Sequence, residues 1–391
     1  MKTLAAEPLA VTRLGSRLIP VARSSRAAGH ASSAQQSIVN RRIANVTPLL
    51  PLNPIDLTTD LVRIPSVSGA EGEVMGAVEM LLRQREWSVR RIGVSPGRDN
   101  LLATSTDAPL VTLSTHLDTV PPHIAPRREG NRLFGRGACD AKGIAAAMMC
   151  AAERLRARQI PTALLFVVGE ETVHDGASAA NTTVTTSRVL INGEPTESRL
   201  AVGTKGALRA TLRTVGRAAH SAYPELGQSA TRDLVHLLAE LDDVELPTDA
   251  VLGATTINIG FLSGGIAENV VAPTAEARLM VRLVGSADDV EIRLRRWVGS
   301  RATIECSSLV PPVRLATVDG FDTVVVAFAT DIPRLTQWGT PYLFGPGSIH
   351  VAHTDGEFVD LDELVRAVDS YERLAEAALA RASAGRHAAA G

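Results

Sequence analysis

VTLSTHLDTV, residues 111–120, is the stretch that decides the fold of this chain. Its apolar and β-branched first half predicts a buried parallel strand, and its polar second half leads into Pro121 and Pro122. Because strand side chains alternate, His116 and Asp118 lie on the same side at the carboxyl end of the strand. Ligands of an open α/β sheet usually bind at this end. A carboxylate beside an imidazole can fix its tautomer and leave the other ring nitrogen free for a metal.

A single His-x-Asp pair is more often a structural histidine near a turn, so the metal hypothesis depends on further acids. Later stretches supply them: Asp140 within GRGACDAKG (135–143), Glu170 and Glu171 after the apolar strand at 163–168, and Glu194 after the strand at 189–192. Each has a simpler explanation by itself, since Asp140 could cap a helix over 144–156 and adjacent glutamates could form an exposed turn. Together they predict several ligands at one edge of a sheet.

The types of these side chains indicate a metal. A mixed set of histidines and carboxylates suits zinc or a related divalent ion better than magnesium or calcium. The number of acids suggests two ions that share a bridging carboxylate, about 3.5–4 Å apart. We therefore expect a two-metal centre, with zinc as the first choice and cobalt or manganese as alternatives.

Length and composition restrict the class of protein. With 391 residues, the chain is long enough for two domains. Its 45% hydrophobic and 21% charged residues are typical of a soluble globular protein, and its net charge of −2 gives no reason to expect nucleic acid or an acidic membrane as a partner. No apolar run approaches the roughly 20 residues of a membrane span. Three scattered cysteines indicate a reducing compartment, so we expect a cytoplasmic protein.

Residues 1–48 differ from the rest of the chain. Seven arginines and lysines face a single acid, Glu7, among many alanines and serines. This composition suits an organellar transit peptide. We favour a disordered extension or an upstream start codon, and we expect no chemistry from this segment.

Residues 49–203 alternate helical and strand patterns. Asp56 is a candidate cap for a first helix that ends before Pro65. The elements that follow are a helix over 71–84 and strands over 87–92 and 101–103. This alternation predicts a three-layer α/β domain.

The pattern changes from about Gly203. The predicted order is strand, helix, strand, strand, at 207–215, 230–241, 255–261 and 275–283. It predicts a small α+β module that is inserted into the first domain and closes near Pro311 and Pro312. The chain then returns to the first domain with a strand at 323–327, polar residues at 342–357 and a packing helix over 361–381.

Four motifs together resemble the M20 family of metallopeptidases and deacylases: His116-Leu-Asp118, GRGACDAKG at 135–143, GEE at 169–171 and NGEPT at 192–196. The resemblance runs from about residue 54 to the C-terminus. The family includes acetylornithine deacetylase, succinyl-diaminopimelate desuccinylase, aminoacylase and an amino-acid hydrolase of lysine biosynthesis. The resemblance implies a three-layer α/β/α catalytic domain of the phosphorylase/hydrolase type (49–203 and 312–391). It also implies an inserted α+β lid (204–311), through which two subunits form a homodimer.

The resemblance also implies a role for each candidate residue. Asp140 would bridge two metal ions, which would be completed by His116, Glu194, Glu171 and His353. Asp118 resembles the acid that orients His116. Glu170 resembles the general base that takes a proton from the attacking water and passes it to the leaving amine. The last ligand follows from a Gly-Pro-Gly…Ala-His segment typical of the acetylornithine deacetylase branch, with His350 as the alternative to His353.

Four residues of the implied lid are candidates for contacts with substrate. His220, in HSAYP (220–224), resembles the lid histidine that reaches the partner's active site and stabilises the tetrahedral oxyanion. Tyr223, Asn269 and Arg282 fall where family members contact the substrate carboxylate or oxyanion. The fork of an arginine matches a carboxylate, although Arg282 could equally be a surface charge on a strand.

The third acid position gives the substrate hypothesis. Glu194, in place of an aspartate, resembles deacylases and aminoacylases more than the di- and tripeptidases of the family. We therefore expect a metal-dependent amidohydrolase that removes a small acyl group from the nitrogen of an amino acid, with N-acetylornithine as the leading substrate. A dipeptidase or carboxypeptidase is the alternative within the family. A non-catalytic amino-acid-binding protein is the alternative from another class, and it predicts missing ligands or a missing base.

Overall fold

The computed structural model describes residues 50–389, so the prediction for residues 1–48 lies outside the described part of the chain. The α-helices of this part are α1 (Pro54–Arg63), α2 (Gly72–Gln84), α3 (Lys142–Ala157), α4 (Asp175–Ala180), α5 (Ala230–Ala239), α6 (Ala287–Val298) and α7 (Leu361–Ala389). Its strands are β1 (Ser88–Ser95), β2 (Arg98–Thr104), β3 (Val111–His116), β4 (Arg127–Glu129), β5 (Arg132–Phe134), β6 (Thr162–Val167), β7 (Val189–Asn192), β8 (Leu200–Thr204), β9 (Gly206–Val215), β10 (Thr248–Asp249), β11 (Gly253–Ala254), β12 (Thr256–Gly264), β13 (Thr274–Leu283), β14 (Thr303–Val310), β15 (Val313–Arg314), β16 (Thr323–Val326), β17 (Thr340–Leu343) and β18 (Phe358–Asp360). Within residues 50–389, no helix combines the length and apolar character that a membrane span requires.

A six-stranded sheet forms the centre of the structure, in the order β1-β2-β6-β3-β7-β17. β3 lies between β6 and β7 and runs parallel to both. All six residues of β3 are buried. The buried parallel strand predicted from residues 111–120 is therefore confirmed, and it ends at His116.

Helices cover both faces of this sheet. The alternating side chains of β6 divide between the faces: Leu164 and Phe166 pack in the core formed with α1, α2, α3 and α7. Leu165 and Val167 pack in a second core with α4 and residues 335–338. Burial of both faces explains why β6 is a continuous apolar run rather than an alternating one. The predicted three-layer α/β/α arrangement is confirmed.

Asn53, not Asp56, caps the first helix. The Asn53 side chain accepts hydrogen bonds from the backbone N–H groups of Ile55 and Asp56, at 2.9 and 3.3 Å. Pro54 occupies the first helical position, where a missing N–H has no cost. The predicted cap at Asp56 is wrong because this residue already lies in the first turn.

Residues 206–310 form a second sheet, which is antiparallel and has the order β12-β13-β9-β14. Helices α5 and α6 pack against it around a separate apolar core. The sequence predicted strand, helix, strand, strand, and the structure adds α6 and β14 to this order. Half of the residues of α6 are charged, and only Val290, Leu294 and Val298 form its buried stripe. Such a narrow stripe is a weak helical signal.

The parallel strands of the central sheet determine where the candidate ligands lie. β3, β6 and β7 are adjacent, so their carboxyl ends lie side by side. Each of these ends leads to candidate residues: His116 ends β3, Glu170 and Glu171 follow β6, and Glu194 follows β7. Asp140 lies in the loop before α3, and His353 lies in the loop before β18.

Candidate metal centre

Four of the five predicted metal ligands contact one another. The Nε2 atom of His116 lies 3.0 Å from Oδ1 of Asp140. The other carboxylate oxygen of Asp140 lies 3.3 Å from Nε2 of His353, which in turn lies 2.9 Å from Oε1 of Glu171. Asp140 therefore lies between two imidazoles, as a carboxylate shared by two metal positions would.

Glu194, the fifth predicted ligand, is buried beside this cluster. Burial raises the pKa of Glu194 well above its usual value, His116 opposes this rise, and the charge of Asp140 adds to it. The Oε1 atom of Glu194 has no hydrogen-bond partner among the described residues. A buried carboxylate oxygen without a donor is costly, and a bound cation would compensate for this cost.

The donor set fits a divalent metal. Ligand atoms of His116, Asp140 and Glu171 lie within 4.8 Å of one another. Burial acts to raise the pKa of Asp140, but hydrogen bonds from His116 and His353 hold it below its usual value, so this carboxylate is ionised. Imidazole nitrogens and carboxylate oxygens at such short separations are typical ligands of zinc and related ions. The residues present can therefore hold a metal.

His353 would exchange a proton for a metal. Hydrogen bonds to Asp140 and Glu171 raise the pKa of His353 to about 10. A histidine ligand must be neutral, so a cation that binds here displaces this proton. The alternative residue, His350, is exposed, and its backbone N–H donates to the hydroxyl of Ser348. The structure thus brings His353, and not His350, to Asp140 and Glu171.

Asp118 ties together the ends of β3 and β6. Its carboxylate accepts the backbone N–H groups of Glu170 and Glu171, at 3.1 and 3.2 Å, and the hydroxyl of Ser68 at 2.7 Å. The Nδ1 atom of His116 lies 3.0 Å from the backbone carbonyl oxygen of Asp118 and 3.6 Å from its carboxylate. The predicted orienting contact to His116 is therefore made mainly by the backbone of Asp118, while its side chain positions the two glutamates.

The loop that carries Asp140 is held by Glu357, a residue to which the sequence analysis gave no role. One oxygen of Glu357 accepts the backbone N–H groups of Gly137, Cys139 and Asp140, at 2.9, 3.1 and 3.1 Å. The other accepts a hydrogen bond from Arg136 at 2.6 Å. No signal in the linear pattern distinguishes this buried acid from a surface glutamate.

Two further residues beside Glu170 were also missed. His174 lies 3.7 Å from the Glu170 carboxylate and 2.9 Å from that of Asp331. Both partners of this histidine are acidic, and Asp331 is buried. Asp331 follows β16, far from the β6 motif along the chain, so its proximity is visible only in the folded structure.

Three of the predicted lid residues lie apart from the cluster. His220, Tyr223 and Asn269 are exposed, with 59% of Tyr223 accessible to solvent. The Nδ1 atom of His220 accepts the backbone N–H of Ala222 at 3.1 Å. None of these three residues has a described contact with a predicted metal ligand.

Arg282, the fourth predicted lid residue, lies on β13 and is half-buried. Burial lowers its pKa, and no carboxylate of the described residues forms an ion pair with it. An arginine that is partly desolvated and unpaired can bind an incoming carboxylate.

Comparison with known proteins identifies the family. The model of peptidase family M20/M25/M40 matches residues 112–377. A peptidase M20 domain-containing protein, C757.05c, of Schizosaccharomyces pombe is 37% identical over 367 residues, which cover 88% of this chain and 91% of that protein. A probable carboxypeptidase of Paracoccidioides brasiliensis is 36% identical over 398 residues, which cover 89% of each chain.

Solved structures share the fold. A tripeptidase from Staphylococcus aureus has a TM-score of 0.71 at 19% identity, covering 84% of this chain and 100% of that chain. The YXEP protein of Bacillus subtilis, a dinuclear metal binding peptidase, has a TM-score of 0.62 at 15% identity, covering 84% of this chain and 98% of that chain. These structures support the fold, and they do not single out the deacetylase and desuccinylase branch. The chain therefore belongs to peptidase family M20/M25/M40 and is a hydrolase that acts on peptide or amide bonds.

Proposed function

We propose that the protein is a metal-dependent hydrolase that cleaves the amide bond beside the free carboxylate of a small peptide or N-acyl amino acid. Carboxypeptidase or dipeptidase activity is the favoured form, because a relative of almost full-length similarity is named a probable carboxypeptidase. Removal of the acyl group from N-acetylornithine is the second candidate. The observation that carries the proposal is the buried position of Asp140 between His116 and His353.

Two divalent ions fit this pocket, with zinc as the first choice and cobalt or manganese as alternatives. His116, Asp140 and Glu194 would hold one ion, and Asp140, Glu171 and His353 would hold the other. Ions bound there lower the pKa of water and polarise the amide carbonyl of the substrate. The unpartnered oxygen of Glu194 supports this assignment, because it lacks a donor within the described part of the chain.

Glu170 is the proposed general base. Burial raises its pKa well above the usual value, and the charge of Glu194 adds to this rise. A carboxylate with a raised pKa is a stronger base, so Glu170 suits the transfer of a proton from water to the leaving amine. The hydrogen bond from the backbone N–H of Glu170 to Asp118 supports a fixed position for this residue.

Residues 204–311 are proposed as a lid that pairs two copies of the chain. β12 is the edge strand of the second sheet, and its apolar side chains Phe261 and Leu262 are 41% and 52% exposed. An unpaired edge with apolar side chains favours pairing with an identical edge. In such a homodimer, His220 would serve the site of the other copy and donate a hydrogen bond to the developing oxyanion.

Arg282 is proposed to bind the substrate carboxylate, with Tyr223 and Asn269 as further contacts. The absence of an ion pair at Arg282 within residues 50–389 supports this role, since a half-buried guanidinium gains a bidentate partner when a carboxylate binds. A carboxylate requirement is common to carboxypeptidase substrates and N-acyl amino acids.

A cavity of about 160 Å³ supports a substrate with an apolar side chain. It lies between the residues that follow Glu194 and those that precede His353, and its apolar lining includes Val324, Phe328 and Ile349. Glu197 and Arg199 also line it, but they form an ion pair with each other. A charged ornithine side chain would therefore lose hydration there without an unpaired acid to receive it. This is the specific reason to place a peptide with an apolar residue ahead of N-acetylornithine.

A substrate panel with the metal-loaded full chain tests the proposal. The panel contains N-blocked dipeptides, free dipeptides, N-acetylornithine and N-succinyl-diaminopimelate, and each dipeptide is made with an apolar and with a charged C-terminal residue. We expect the highest kcat/KM for dipeptides with the apolar residue, and loss of turnover after chelation. A preference for N-acetylornithine would select the second candidate, and failure to hydrolyse any amide would contradict the proposal.

The cytoplasmic location is also a proposal. Cys139, Cys150 and Cys306 are free thiols, as expected in a reducing compartment. The non-catalytic alternative is disfavoured, because every proposed ligand and the proposed base are present.

A further inference from the structure

A second group of ligand-type side chains consists of Glu170, His174 and Asp331, of which Asp331 is buried and the other two are partly buried. The Nδ1 atom of His174 is 2.9 Å from Oδ1 of Asp331 and 3.7 Å from Oε1 of Glu170. Ligand-type atoms of these three residues lie within 4.8 Å of one another. None of the three is a proposed metal ligand in the function given above.

Glu170 has few other contacts that could hold its side chain. Its carboxylate accepts no hydrogen bond within residues 50–389. The basic side chain that lies within 4 Å of this carboxylate is the imidazole of His174, at 3.7 Å. Asp331 approaches the same Nδ1 atom of His174, and its Oδ2 atom is buried without a partner among the described residues. Without His174, the carboxylates of Glu170 and Asp331 would repel each other, because no imidazole would interact with both of them.

The backbone of His174 adopts a left-handed conformation next to the turn that carries Glu170. His174 has a φ of 55°, which is unfavourable for a residue other than glycine. Its backbone N–H donates to the carbonyl oxygen of Gly169 at 2.9 Å, so it is bound to the turn that carries Glu170. Strained residues persist where surrounding interactions hold them, and these positions cluster at functional sites.

We propose that His174, anchored by Asp331, is a positioning residue that keeps the carboxylate of Glu170 directed toward the metal ligands and away from Asp331. This inference rests on the proposed hydrolytic function. In this role, His174 contacts neither the substrate nor the reacting atoms. Displacement of a proton acceptor by about 1 Å can lower the reaction rate on the order of 10²-fold. Loss of the His174 side chain should therefore lower kcat, whereas substrate binding should stay the same.

Two variants at one position test the proposal. Glycine suits the observed φ but removes the side chain, so His174→Gly relieves backbone strain while it releases Glu170. Asparagine also tolerates this φ, and its amide can donate to Asp331 from nearly the same point as Nδ1. We expect His174→Gly to lower kcat by about 10²-fold with KM and metal content within about twofold of the wild type. His174→Asn should recover most of this loss.

Asn181→Ala is the matched control. Asn181 connects the same two segments, because it donates to Thr336 and accepts the backbone N–H of Gln337. Removal of the Asn181 side chain breaks these two hydrogen bonds but leaves the contact between His174 and Glu170 in place. The kcat value should therefore remain that of the wild type. Equal losses in Asn181→Ala and His174→Gly would show a merely structural role and overturn the proposal.

Metal analysis and the wild-type assay separate the remaining outcomes. An additional equivalent of bound metal that disappears in Asp331→Asn would show that Glu170, His174 and Asp331 bind a cation, and the positioning role would be wrong. An active wild type with unchanged turnover in His174→Gly would overturn the positioning role alone. An inactive metal-loaded wild type would overturn the proposed function and this inference with it.

Discussion

The two regions that carry the candidate residues differ in how complete they are within one chain. At the carboxyl ends of β3, β6 and β7, ligand atoms from distant segments already lie 2.9–3.3 Å apart. At the second sheet, His220 and Tyr223 are exposed and have no described contact with these ligands. The first region is organised by contacts within one chain, whereas these candidate residues of the second are exposed to solvent.

The ion pairs of the two regions differ in the same way. Arg136 and Glu357, beside the candidate metal ligands, have side chains that are 2% and 0% exposed. On the second sheet, Arg213 pairs with Glu305, and these side chains are 44% and 73% exposed. Buried charges hold the first region in one arrangement, while the exposed pairs of the second contribute little to stability.

Glu170→Gln should have the largest effect, because it removes the proposed base from the buried region. We expect kcat to fall by about 10²–10⁴-fold while bound metal stays at the wild-type level. Steady-state kinetics and metal analysis measure the two quantities. Glu171→Gln is the control that should lose metal. Wild-type turnover in Glu170→Gln would show that the proposed mechanism is wrong.

Replacement of a buried and of an exposed acid compares the regions directly. Glu357→Gln removes one charge of a buried pair, and we expect the free energy of unfolding to fall by about 3–5 kcal/mol. Glu305→Gln removes an exposed partner of Arg213, so its free energy of unfolding should be that of the wild type within error. Denaturant unfolding of both variants gives these values. Equal losses would mean that burial is not what separates the regions.

His220→Ala tests whether the second region acts on another copy. Loss of an oxyanion donor should lower kcat by about 10²–10³-fold. If the donor serves the partner, a mixture of His220→Ala and Glu170→Gln subunits should regain activity, because each mixed dimer contains one site with both residues. Activity of the mixture equal to the sum of the separate variants would contradict pairing through the lid.

Lys142 provides the smallest effect, and it concerns stability rather than turnover. This buried lysine donates to the carbonyl oxygens of Leu61 and Ile64, at 3.1 and 2.6 Å, and burial lowers its pKa to about 8. Between pH 8 and the pKa of an unfolded lysine, the unfolded chain binds more protons than the folded one. This group therefore makes the folded chain more stable as pH rises, by up to about 1.4 kcal/mol per pH unit.

The variant Lys142→Met should lack this increase. The measured quantity is the difference in unfolding free energy between the variant and the wild type, determined at pH 7.5 and at pH 9.5 or thereabouts. We expect the wild type to gain stability relative to the variant at the higher pH. A difference that does not change with pH would show that Lys142 keeps an ordinary pKa.

The sequence predicted the fold of the central sheet because each strand there is a short apolar run that ends in polar residues. The same linear motifs led to His116, Asp140 and Glu194, which follow strands or loops in recognisable patterns. Helix α6 was missed because its buried stripe is narrow and half of its residues are charged. The cap at Asn53 was missed because several polar residues near the start of α1 are chemically suitable, and only the backbone selects one.

The residues that support the candidate site could not be predicted. Asp331 has no distinctive neighbours in sequence. His174 and Glu357 stand close to predicted site residues, but their roles come from contacts with segments far along the chain. Asp331 and His174 are 157 positions apart. Sequence motifs therefore identify the candidate ligands but not the residues that hold these ligands in position.

The contact between Glu357 and the Asp140 loop has a consequence for the order of synthesis. Asp140 and Glu357 are 217 positions apart, so the loop lacks this carboxylate until residue 357 has been synthesised. The four strands of the second sheet come only from residues 206–310 and can pair earlier. The contacts of the inserted sheet can therefore form before the contact that holds the metal-binding loop.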